Sequence, residues 1–166
     1  MGVETLTENG PVVLVPAAWT VAAAASTGAA ERGTLMVAHG AMAVLISAFA
    51  VVSWTEMSDG VLRAWRAVLV AGLPVTVAGF VGLYAGVVPL EAAALYGWFL
   101  LPAAGFVVTA RAVENPVPYA VGASLSVVGA ASHASFVIAG SPPPTAGIAI
   151  VGVGQTVGIA DAVYRY

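Results

Sequence analysis

Cysteine and lysine are both missing from the chain, so its five cations are all arginine. Without a thiol there can be no disulfide, no thiolate nucleophile, no cysteine-held zinc and no iron–sulfur cluster. Charge of either sign is scarce. Only 8% of the 166 residues are charged, against 60% hydrophobic, and the mean hydropathy is +0.98. A water-soluble domain carries about a quarter of its residues as charges, so this composition belongs to an integral membrane protein. The net charge of −3 leaves no basic patch for nucleic acid. The opening MGVETLTENG holds Glu4 and Glu8 and no basic residue. It therefore lacks the positive start of a secretory signal, and the first apolar run is expected to be retained.

The few charges act as punctuation. Uncharged runs cover Asn9–Ala30, Gly33–Thr55, Ala67–Leu90, Ala92–Ala110 and Asn115–Ala160. A spanning helix takes about 20 apolar residues. The first four runs therefore give one span each, and the last is split by Ser141-Pro142-Pro143-Pro144-Thr145, where a helix cannot continue. Helices are expected over 11–30, 34–54, 61–88, 89–113, 118–140 and 145–164. No recurrent alternating segments of about ten residues support a barrel. The expected fold is all-α: a six-transmembrane-helix bundle with short loops, forming one membrane domain over 1–166. With the N-terminus cytoplasmic, Arg63, Arg66, Arg111 and Arg165 fall inside and only Arg32 outside, as the positive-inside rule asks. Both termini are then cytoplasmic, in a multi-pass protein of the cell membrane. Trp54, Trp65, Tyr119, Tyr164 and Tyr166 lie near the expected inner ends and read as interfacial anchors. Pro74 and Pro102 fall mid-span, where they are expected to kink their helices. The glycines inside the spans allow close helix packing.

Two histidines, His39 and His133, are the only ones present, and both lie inside apolar runs. An ionisable group within a spanning helix is a functional candidate by default. His39 lies five residues beyond Thr34, and His133 seven residues before Gly140. At 1.5 Å per residue each is roughly 7–10 Å in from its helix end. The second and fifth spans run antiparallel, so these ends share a side and the imidazoles share a depth, in the outer half by the arginine count. Two histidines at one level suit axial ligation of haem b. Gly40, Ala43, Gly129, Ala130 and Ala134 supply small neighbours for a flat ring. Ser132 and Ser135 flank His133, and Arg32 can pair with a propionate.

In His39, His133 and these small neighbours the chain resembles small membrane b-type cytochromes, whose bundles hold haem between histidines on different helices. The resemblance implies a haem b protein for electron transfer or for redox or gas sensing, with an enzyme the less favoured reading. With one histidine pair, exchange with a quinol or an external redox protein fits better than conduction through the membrane. Copper is the weaker cofactor alternative, with Met36 and Met42 beside His39, although six residues separate the two methionines. For either imidazole alone, an ordinary interhelical hydrogen bond worth about 0.6 kcal/mol is the plain account. Two further functions stand beside haem. One is a small-solute channel or transporter, formed as a homo-oligomer with the histidines and Gln155 lining its path. The other is an accessory subunit of a respiratory complex. Asp161 and Arg165 are spaced for an intrahelical pair, and Glu91 for a helix N-terminus. Tyr84 and Tyr96 are expected to serve packing.

Overall fold

The computed structural model describes residues 3–141 and 143–165, with side chains from Gly10 onward. Its helices are α1 (Val3–Ser26), α2 (Arg32–Val52), α3 (Gly60–Ala85), α4 (Val88–Ala110), α5 (Val117–Ala139) and α6 (Pro144–Arg165), with one 3-10 turn at Glu56–Ser58. The stops follow backbone chemistry. Gly86 and Gly140 take left-handed φ angles of 71° and 74° and return their N–H groups to the carbonyls of Gly82 and Phe136. Only glycine adopts that conformation freely. Prolines in the first turns of α4 and α5 cost no hydrogen bond there. Pro74 and Pro102 lie inside α3 and α4, and both helices continue through them.

The helices close into a ring in which each packs on its sequence neighbours, and α1 also packs on α6. α4 additionally touches α6 across the ring, while α2 and α5 share no contact among the described residues. Alternate helices run in opposite senses. Arg63, Arg66, Arg111 and Arg165 therefore gather at one end, and Arg32 stands at the other.

Glycines set the spacing of the seams. A Cβ placed on Gly129 of α5 would lie 2.5 Å from the Gly147 carbonyl oxygen of α6, and one on Gly147 would lie 2.6 Å from the Gly129 oxygen. Small residues of this kind let backbones meet where lipid offers no hydrophobic drive for association. On the α3–α4 seam, Gly72 lies beneath the Trp98 ring, and Gly105 meets Trp65 and Val68. The buried core lies between α4, α5 and α6, around Phe99, Ala130, Ile148 and Val151. A second cluster, Phe106, Tyr119 and Ala123, sits nearer the arginine end.

Five helices, α2 to α6, are long and apolar enough to cross a membrane. Within α1 the described residues contribute an apolar helical stretch over Gly10–Ser26. α2 has one buried residue, Ile46, and presents valines such as Val37 and Val51 outward, as a helix in contact with lipid does.

Of the expected anchors, Tyr119 is interior and Trp65 is half-buried against the bundle. Trp65 donates its indole N–H to Thr109 Oγ1 at 3.0 Å and meets Phe106 edge-on, and Tyr119 is 1% exposed. Trp54 and Tyr164 are exposed near the arginine end, and Trp54 lies under the Arg66 guanidinium at 4.6 Å. Tyr166 lies outside the described residues.

Candidate functional site

α2 carries His39 to the seam with α3. Its Nδ1 lies 2.9 Å from the carbonyl oxygen of Leu35, one turn back. A carbonyl only accepts, so Nδ1 carries the hydrogen and Nε2 is left with its lone pair. That side of the ring rests on Gly79: a Cβ there would meet His39 Cδ2 and Nε2, each at 2.6 Å, and the Ala94 Cβ of α4 at 2.8 Å. Glycine at position 79 is what admits the imidazole.

His133 lies on the other side of α4. Its Nδ1 is 3.0 Å from the Tyr96 hydroxyl, and the donor depends on the imidazole tautomer. Tyr96 and Phe99 both meet the ring edge-on, at centroid distances of 5.5 and 5.8 Å. Gly147 of α6 admits the His133 backbone at closer range than any side chain would allow. Ala94 and Tyr96 are two residues apart, which is about 3 Å along α4 and about 200° around it. The histidines therefore share a level and stand on opposite faces of one helix. Neither Nε2 has a hydrogen-bond partner among the described residues.

The flanking candidates are engaged elsewhere. Arg32 donates from Nε to the Leu83 carbonyl at 2.6 Å and from Nη2 to the Gly82 carbonyl at 3.2 Å, and it pairs with Glu91 at 2.7 Å. It ties the end of α3 to the start of α4. Gly129 is filled by α6, and Ala130 belongs to the core. Gly40 faces Phe80 of α3 at 3.9 Å from an added Cβ. Ser132 is half-buried beside His133, and Ser135 donates to the Ala131 carbonyl of its own helix. Met36 and Met42 are half-buried on α2. No group of three or more His, Asp or Glu side chains converges as a metal site among the described residues.

Deeper in the bundle, Gln155 of α6 is 3% exposed and joins three helices. It accepts from the Trp19 indole N–H of α1 at 3.0 Å and donates to the Trp98 carbonyl of α4 at 2.9 Å. The Trp98 indole in turn donates to Thr76 Oγ1 of α3 at 3.0 Å, and Thr76 donates to the Gly72 carbonyl at 2.9 Å. This chain is a tie across α1, α6, α4 and α3. Asp161 and Arg165 form the expected pair, at 2.6 Å.

Comparison with known proteins identifies no relative. No family model matches the chain, and neither the curated proteins nor the solved structures give a match.

The expected bis-histidine haem site can be tested against these contacts. A porphyrin ligated by both imidazoles would have to pass through α4, because Ala94 is on the His39 side and Tyr96 on the His133 side. Contact between His39 and Gly79 also leaves no layer for a tetrapyrrole over that ring. The pair does not fit one haem. His133 by itself meets one condition for a ligand, since a partner holds Nδ1 and Nε2 is unpartnered.

Of the residues that matter at this level, sequence alone assigns Tyr96 to packing. The aromatic-to-histidine link was missed because the two lie 37 positions apart, on neighbouring helices.

Proposed function

We propose that the protein is an accessory membrane subunit of a respiratory system, binding the headgroup of a lipid-soluble quinone at the Tyr96–His133 pair. The observation that carries this reading is the hydrogen bond between Tyr96 Oη and His133 Nδ1, 3.0 Å long and set within two spanning helices. The pair has two protonation patterns of equal charge. When the tyrosine hydroxyl donates to Nδ1, Nε2 carries a hydrogen and can donate to a quinone carbonyl. When Nδ1 donates to the tyrosine oxygen, Nε2 is a lone pair and can accept from a quinol hydroxyl. One side chain thus matches both redox states of the headgroup without a buried charge. The four-to-one arginine distribution supports a cytoplasmic location for both termini, which puts the pair in the outer half of the bilayer. Tyr96 is half-buried and supplies an aromatic ring against which a planar headgroup can lie, with the buried Phe99 packed edge-on behind it.

The test is nitrogen-15 NMR of histidine-labelled protein in lipid nanodiscs, with and without a short-chain quinone. Addition of quinone is expected to move the His133 Nε2 resonance and leave His39 unmoved. In Tyr96→Phe the two His133 nitrogen resonances are expected to change before any quinone is added. A His133 resonance indifferent to quinone would end the proposal.

A second reading keeps the resemblance to b-type cytochromes, with a single haem held by His133 alone. It is supported by the anchored Nδ1 and the unpartnered Nε2. Tyr96 would orient that ligand, and the haem would supply one-electron chemistry or a position for a gas. An absorption spectrum separates the readings: a Soret band abolished by His133→Ala and kept by His39→Ala supports the haem, and colourless protein excludes it.

A further inference from the structure

A groove about 330 Å³ in volume runs along the outer face of the α3–α4 seam, lined by Ala64, Ala67 and Ala71 on one side and Leu101, Ala104 and Val108 on the other. Its walls are apolar and it opens outward to where lipid lies, with Ala67 and Ala104 exposed. From Ala64 to Ala71 it extends about 10 Å along the helix.

Charge stands at one mouth. Gly79 against Ala94 and Gly105 against Val68 fix the antiparallel register of α3 and α4. The same register sets Arg63 level with the Ala110–Arg111 end of α4. Arg63 lies one turn before Ala67, and Arg111 lies three residues after Val108 and seven after Ala104. Spacings of three, four and seven return to one helix face, so both arginines are on the groove side. Both are exposed, and neither has an ion-pair or side-chain hydrogen-bond partner among the described residues. Glu56, Asp59 and Glu114 lie at the same end; Asp59 accepts from Ser58, and none is within ion-pair distance of Arg63 or Arg111.

We infer that this groove binds an anionic phospholipid, its acyl chain along the alanine walls and its phosphate between Arg63 and Arg111. Guanidinium forks suit phosphate oxygens, and a basic mouth on a cleft between spanning helices selects negative headgroups. The apolar groove alone takes any acyl chain. Arg63 and Arg111, at the level where the phosphates of one leaflet lie, make the site selective.

Native mass spectrometry of the full chain, released from nanodiscs of equal phosphatidylglycerol and phosphatidylcholine, tests this. The wild type is expected to retain phosphatidylglycerol over phosphatidylcholine by roughly thirtyfold, from two arginines near one anionic headgroup. Arg63→Gln with Arg111→Gln is expected to bring that ratio near one while lipid of either kind is still retained. Ala104→Trp, which fills the groove and keeps the charge, is expected to lose the retained lipid; Ala67→Leu serves as the milder variant should the first misfold. Equal retention of the two lipids by the wild type overturns the inference. So does a preference that survives the double arginine variant, or displacement of the lipid by inorganic phosphate alone.

Discussion

Replacing Gly129 by alanine tests how closely α5 and α6 must approach. The added methyl would stand 2.5 Å from the Gly147 oxygen, 2.5 Å from Val151 Cγ2 and 3.0 Å from the Val151 backbone nitrogen. Carbon contacts settle near 3.5–4.0 Å, so the seam must open by about 1 Å. Two of the three obstacles are backbone, which cannot turn aside as a side chain can. α6 is also held from its other side, where a Cβ on Gly152 would be 2.9 Å from Trp19 Cβ. Overpacking of this kind costs about 1–3 kcal/mol. The intrinsic gain of alanine over glycine in a helix, about 1 kcal/mol at most, does not offset the upper part of that range. Gly40→Ala is the matched control, because its new methyl meets only Phe80, at 3.9 Å. Equilibrium unfolding in bicelles should then show Gly129→Ala less stable than Gly40→Ala by about 1–3 kcal/mol, since both share the alanine gain, with Gly40→Ala unchanged or up to about 1 kcal/mol more stable than the wild type. Equal stability of the two variants would refute the claim that backbone proximity, and not glycine content, organises this seam.

Other expected outcomes follow from single contacts. Gln155→Leu with Trp19→Phe, run as a double-mutant cycle in the same unfolding assay, should give a coupling of about 0.6 kcal/mol, and no more than about 1.7. A coupling of zero would mean the indole–amide bond adds nothing. Arg32→Gln should lower the thermal midpoint more than Glu91→Gln, because arginine also serves the carbonyls of Leu83 and Gly82. The ion pair itself is half-exposed on the arginine side and worth below about 1 kcal/mol, so added salt should narrow the gap only slightly. Thr109→Val should destabilise by about 1 kcal/mol by leaving the Trp65 indole N–H without its acceptor, and Trp65→Phe in that background should recover part of the loss.

Hydropathy made the spans legible because charge interrupts this chain so seldom. Five of the six expected helices end within three residues of the observed bounds, and the errors have local causes. The third helix was extended to residue 88, but Gly86 turns left-handed and stops it at Ala85. The first was placed at 11–30, whereas α1 is already helical from Val3 and stops at Ser26, two residues before left-handed Gly28. Glu4, Glu8 and Pro11 all lie within that helix. The shared depth of the histidines follows from antiparallel topology, and their neighbours lie at the same level of α4. What no periodicity reveals is azimuth. α2 and α5 are each almost wholly apolar, so no polar face marks which side of the helix meets which neighbour. The insertion of α4 between the imidazoles was invisible for that reason. Gln155 has the same lesson: a lone amide mid-span reads equally as pore lining or as a tie, and only its partners, Trp19 and Trp98, decide.

The tie at Gln155 has a consequence for biosynthesis. Of the six helices, α1, which carries the indole donor, leaves the ribosome before the other five, and α6, which carries the receiving amide, leaves after them. α1 rests chiefly on α6, so until α6 is made α1 has no permanent seat and Trp19 carries an unanswered N–H. The early helices can pair in order as they emerge, α2 with α3 and then α3 with α4. The circle is sealed only when α6 arrives and captures α1. A nascent chain halted before α6 would therefore be a stack of neighbours with a loose leading end, the kind of intermediate that an insertase or membrane chaperone has to hold.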